Sequence, residues 1–154
     1  MAALKQTLQS DLTDAMRRRD ELTTATLRMA LTAITNEEVS GASARELSDE
    51  EVVQVLGREA KKRREAAEAY DAAGRPELAE RERAEGRVLD AYLPAQLSDA
   101  ELDALVDQAV AEVRAAGQDG PRAMGATMKL LTPRVAGRAE GSRVAAAVRT
   151  ALGS

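Results

Sequence analysis

The residues best suited to chemistry lie in the last third of the chain, and the chemistry they suit is phosphate binding. From Arg122 to Arg149 there are six cations (Arg122, Lys129, Arg134, Arg138, Arg143 and Arg149) against one acid, Glu140, a local net charge of +5. Arginine presents a planar fork of donors that fits phosphate oxygens, and glycines beside it let backbone amides approach the same oxygens. Gly137 and Gly141 flank Arg138 in this way. The preceding segment, Leu93 to Asp119, has six acids and only Arg114, a net of −5. Charge separated this sharply predicts one basic face, with RNA as the natural polyanion. The competing reading is a helix connector with solvated arginines, whose glycines serve backbone geometry.

A second basic run is Lys61-Lys62-Arg63-Arg64. Lys61, Lys62 and Arg64 form a secondary candidate patch for phosphate. Lys61 and Glu65 lie four apart, as do Arg64 and Glu68. Helical side chains at that spacing meet, so part of this charge is neutralised locally. Arg17-Arg18-Arg19 is expected to close a helix, where cations suit the C-terminal dipole. Asn36-Glu37-Glu38 could suggest a carboxylate site, but adjacent acids on a helix diverge, and a structural role is expected.

The absences are equally informative. The chain has no Cys and no His, which excludes disulfides, thiol nucleophiles and Cys/His zinc sites. It also removes the commonest general base near neutral pH. No catalytic residue, cofactor or metal site is expected. With no Phe or Trp, and only Tyr70 and Tyr92, base stacking on aromatic platforms is nearly excluded. Any nucleic acid must then be held by phosphate and shape. The overall charge of −4 argues against a general nucleic-acid coat. No run has signal-peptide or membrane-spanning character, and a soluble, cytoplasmic protein without membrane contact is expected.

Helices must position these residues, for nothing reads as a strand. Leu4, Leu8, Leu12, Ala15 and Met16 step by three and four, and Leu27, Ala30, Leu31 and Ile34 follow suit. Ser48-Asp49-Glu50-Glu51 is a capping box that opens a helix to about Ala72, ended by Gly74. Pro76 suits the first position of the next helix, with Leu78, Glu85, Leu89 and Tyr92 on its inner face. These two helices predict a long antiparallel hairpin. Pro94 stops the second of them. Ser98-Asp99-Ala100-Glu101 is another capping box, followed by the stripe Leu102, Leu105, Val106, Ala109, Val110 and Val113. Pro121 opens a short helix with Met124 and Met128 as gap-fillers beside Leu131. A basic turn and a last helix with Val144, Val148 and Leu152 complete the chain. The expected architecture is all-α. An N-terminal helical subdomain spans 1–92 and carries the hairpin, and a C-terminal three-helix subdomain spans 98–154.

Three stretches carry a resemblance to a known family. Leu27-Arg28-Met29 with Ala33-Ile34 and Asn36-Glu37, then Ala91-Tyr92-Leu93-Pro94-Ala95-Gln96-Leu97-Ser98, then Met124-Gly125 to Met128 with Pro133-Arg134-Val135 and Gly137-Arg138-Ala139-Glu140-Gly141 together resemble the YqeY-like family (GatB/YqeY domain). That family shares its fold with the tail of the tRNA-dependent amidotransferase B subunit, which helps hold the tRNA. The resemblance implies a two-part helical fold and an accessory protein that binds structured RNA, with tRNA foremost. Carried onto this sequence, it implies RNA-facing Lys129, Arg134, Gly137 and Arg138; Arg143 joins them by charge. Gly125 would allow close helix approach. The family often has Lys or Arg where this chain has Ala136. An association with glutamine-dependent carbon–nitrogen ligation would be inherited from the amidotransferase, whose catalytic core is much larger than this chain. Two other functions follow: a protein adaptor docking through the hairpin, with the acidic face around Asp99, Glu101, Asp103 and Asp107 involved, or an accessory to amide transfer on aminoacyl-tRNA.

Overall fold

The structure, a computed structural model, describes residues 2–153. Met1 and Ser154, the outer ends of the two expected subdomains, lie outside them. The described residues form seven helices and no strand, the all-α architecture expected: α1 Ala3–Arg17, α2 Glu21–Glu38, α3 Asp49–Ala72, α4 Pro76–Asp90, α5 Asp99–Ala115, α6 Pro121–Val135 and α7 Gly141–Ala151. Contacts divide the chain into two compact units, Met1–Leu93 and Pro94–Ser154.

Local chemistry sets the helix starts. Asp20 caps α2 by accepting from the Thr23 amide and hydroxyl. In both capping boxes the serine accepts from the amide three residues on, and that glutamate reaches back to the serine amide: Ser48 with Glu51, Ser98 with Glu101. Each box satisfies two otherwise orphaned donors. Pro76 and Pro121 open α4 and α6, where a missing N–H costs nothing.

In the N-terminal unit, α1 packs on α2, and α2 on α3 and α4. The core joins Leu8, Leu27, Ala30, Ile34, Leu47, Val52, Val55, Leu56, Ala60 and Leu89. Past Ala60, α3 buries only Ala67, and α4 faces it with Ala79 and Gly86. Leu78 is only half-buried, unlike the spacing-based expectation. The small residues carry the contact instead: a Cβ at Gly86 would stand 3.7 Å from the Arg63 Cβ. Charge flanks this contact. Arg63 lies 3.3 Å from Glu82 and 3.4 Å from Glu85, and Arg83 pairs with Asp71. At the end of α4 the Tyr92 hydroxyl donates to Asp11 at 2.5 Å. Burial, and then this bond, push the Tyr92 phenol well above its usual range.

The acids read as structural do hold structure together. Glu38 accepts from the Lys5 ammonium at 2.7 Å and from the Leu47 amide at 3.3 Å, while Glu37 pairs with Arg58. Arg45 grips Glu51 with both guanidinium nitrogens, at 3.0 and 2.5 Å. That grip and the Ser48 amide pull Glu51 down to about 2 from 4.5. A carboxyl held below its unfolded value stabilises the fold above that value and loses the contribution as pH falls towards the folded one. Glu51 is therefore expected to contribute fully above about pH 4.5 and to lose its effect as pH drops to about 2. Arg45→Ala should move its NMR titration midpoint upward, and an unchanged midpoint would refute the assignment.

In the C-terminal unit, α5 packs on α6 and α7, which also touch each other. Leu97, Leu102, Val106, Ala109 and Val110 meet Leu131, Val135, Val144 and Val148. Helix α6 is longer than the short helix expected: it runs through Pro133 to Val135 and buries Ala123, Thr127, Leu131 and Val135, one residue in four. Pro133 lies in the last turn and removes the bond its N–H would have made to the Lys129 carbonyl, while burial of Leu131 and Val135 on either side keeps the turn on the core. Met124 and Met128 pack at the edge of the core.

Candidate functional site

The basic residues of the C-terminal unit fall into three environments. Because α6 continues to Val135, Arg134 sits on its last helical turn rather than in a loop. Its guanidinium donates to Glu112 of α5 at 2.7 Å, a bond that pushes its pKa further up and keeps it charged. Arg143, on the first turn of α7, donates to Asp99 at the start of α5 at 2.8 Å. The acidic and basic runs of the sequence thus meet across helices. Arg149 is also engaged.

Gly137 and Arg138 form the second environment. Gly137 has φ of 73°, a left-handed conformation that glycine adopts without strain. This turn is fastened to the segment preceding α5. The Leu97 amide donates to the Arg138 carbonyl at 2.8 Å, the Gln96 side-chain amide to the Gly137 carbonyl at 3.0 Å, and Arg138 Nε to the Ala95 carbonyl at 3.3 Å. Arg138 also lies near Glu101 and helps lower that carboxyl, after the bonds from Ser98. Two motifs about forty residues apart are therefore one hydrogen-bonded unit. Their sequence spacing carries no signal of this.

Arg122 and Lys129 make up the third environment. Both are exposed on α6, and among the described residues neither has an ion-pair partner. Seven residues is close to two helical turns, so the two cations share a face about 10 Å apart along the axis. Gly125 lies between them on that exposed face, and a Cβ there would meet nothing within 4 Å. It permits no close helix contact, contrary to expectation; it leaves the surface smooth. Arg122 was legible in sequence only as one charge among six. Its seven-residue spacing from Lys129 is the signal that would have placed it beside the other RNA-facing candidates.

The secondary patch on α3 is largely paired. Lys62 lies 2.9 Å from Glu59 and Lys61 3.9 Å from Glu65, and Arg64 is engaged as well. Among the described residues no His/Cys/Asp/Glu group could hold a metal ion, and no helix is long and apolar enough to cross a membrane.

No curated protein matches the chain. The model of a family described as Yqey-like protein matches residues 5–152. That span covers nearly all of the chain, including the helix-α2 motif, the segment before α5 and the turn after α6 that hydrogen-bonds to it. The chain belongs to the YqeY-like family.

Proposed function

We propose that this protein is a non-catalytic cytoplasmic accessory factor that binds the phosphate backbone of structured RNA, tRNA foremost, through its C-terminal unit. The observation that carries this reading is the exposed face of α6, where Arg122 and Lys129 stand unpaired on either side of Gly125. Two cations that need not break an ion pair, across a surface without side-chain bulk, suit an anionic backbone lying along the helix. The scarcity of aromatic side chains supports recognition by phosphate and shape over base stacking. Arg134, Arg138 and Arg143, in the same C-terminal unit, are read as further contacts. We read the architecture as the GatB/YqeY type, with α3 and α4 as its long antiparallel hairpin and α5–α7 as its three-helix tail. The kinship of that tail to the amidotransferase supports tRNA over other RNA.

The test is binding of bulk tRNA over a range of salt. Each phosphate contact contributes about 0.7–0.9 to the slope of log affinity against log salt. Arg122→Ala with Lys129→Ala should flatten that slope by roughly 1.4–1.8. Equal slopes for wild type and the double variant would remove the α6 face from the reading.

A further inference from the structure

We propose that α5 masks the tail arginines: Glu112 and Asp99 compete within the molecule against RNA phosphate for Arg134 and Arg143. The inference rests on the RNA-binding reading above and adds a regulation of the same C-terminal unit. Both contacts are direct guanidinium–carboxylate bonds, 2.7 Å for Arg134 to Glu112 and 2.8 Å for Arg143 to Asp99. Each joins the acid-rich run to the base-rich run, over 22 and 44 residues.

The pairs lie at the surface, not in the core. Arg134 and Glu112 keep 35% and 45% of their side-chain exposure, Arg143 and Asp99 34% and 94%. A guanidinium there can change partner by side-chain rotation, without opening the helix packing. Exposed ion pairs are weak and screened by salt, so an RNA phosphate can displace them, and each mask should reduce affinity by about two- to fivefold. The carboxylate also repels the incoming phosphate, and both effects vanish when it is neutralised. Arg122 and Lys129 carry no such mask and would make the first contact. Arg138 lies outside the device, since its hydrogen bond goes to the Ala95 carbonyl. The acidic run thus sets a threshold: a dense phosphate surface releases the arginines, and an isolated anion does not.

The experiment measures bulk tRNA affinity at low salt for wild type, Glu112→Gln, Arg134→Ala, the Glu112→Gln/Arg134→Ala double variant, and Asp107→Asn. Asp107 is an exposed acid on the same helix with no ion-pair partner among the described residues, so it controls for a general change in charge. Glu112→Gln should tighten binding two- to fivefold, the gain should disappear in the Arg134→Ala background, and it should shrink as salt rises. Asp107→Asn should change affinity less. An equal gain from Asp107→Asn, or a gain that survives loss of Arg134, would overturn the mask in favour of bulk electrostatics. If wild type binds and Glu112→Gln binds equally, the mask falls while RNA binding stands. If neither protein binds, the RNA reading falls and takes the mask with it. Binding by Glu112→Gln alone would support both.

Discussion

Leu131→Ala is expected to destabilise the C-terminal unit by about 2–5 kcal/mol, the usual cost of removing a fully buried leucine side chain. Leu131 is wholly buried among Leu102-side and α7 residues of one cluster. That cluster is entirely aliphatic, and its surrounding unit runs only from Pro94 to Ser154. A unit this small has little stability to lose, because burial and chain entropy nearly cancel at such sizes. The loss should therefore be seen directly as collapsed NMR dispersion for residues of α5–α7 in water, or as an early transition in denaturant. Retained dispersion and an unshifted transition would show that Leu131 does not carry the packing assigned to it. The consequence reaches the candidate site, because Arg122, Lys129 and Arg134 all ride on the helix that Leu131 anchors.

Helices were legible because their signals are local. Ser48 with Glu51 and Ser98 with Glu101 announce helix starts, and the structure contains both capping boxes in full. The α5 stripe was legible for the same reason: Leu102, Val106, Ala109, Val110 and Val113 recur with helical period and are buried. The end of α6 was not. Proline and a following glycine read as a turn, yet Pro133 costs only one end-of-helix bond, and burial of Val135 holds the last turn in register. On α4 the spacing places Leu89 correctly in the core, but it passes over Ala79 and Gly86, the small residues that make the contact with α3.

The candidate site was legible as composition and not as arrangement. Counting charges finds a −5 run beside a +5 run, but which carboxylate meets which guanidinium depends on how α6 and α7 lie on α5. Glu112 to Arg134 and Asp99 to Arg143 are tertiary pairs with no spacing rule behind them. The same holds for the fastening of Gly137 and Arg138 to Ala95, Gln96 and Leu97. Local pairs behaved differently: Lys61 with Glu65 follows from an i,i+4 separation and is present, if long, at 3.9 Å.

The triple replacement of Lys129, Arg134 and Arg138 by Ala separates these environments by their effect on RNA binding. If all three neutralise phosphates, the slope of log affinity against log salt should flatten by about 2–3 units. Between 50 and 200 mM salt, wild type would then lose roughly 15- to 60-fold more affinity than the variant. If only unpaired Lys129 reaches RNA, the change should be about 0.7–0.9, because Arg134 stays with Glu112 and Arg138 with the Ala95 carbonyl. Lys61→Ala with Lys62→Ala should do less than either, since Glu59 and Glu65 already stand beside those lysines. Helical circular dichroism should survive both sets, as none of these side chains lies on a buried face. Should the triple variant bind tRNA as wild type does at every salt, the basic tail is a solvated connector. The protein would then be read as an adaptor, and the search for its partner would move to α3 and α4.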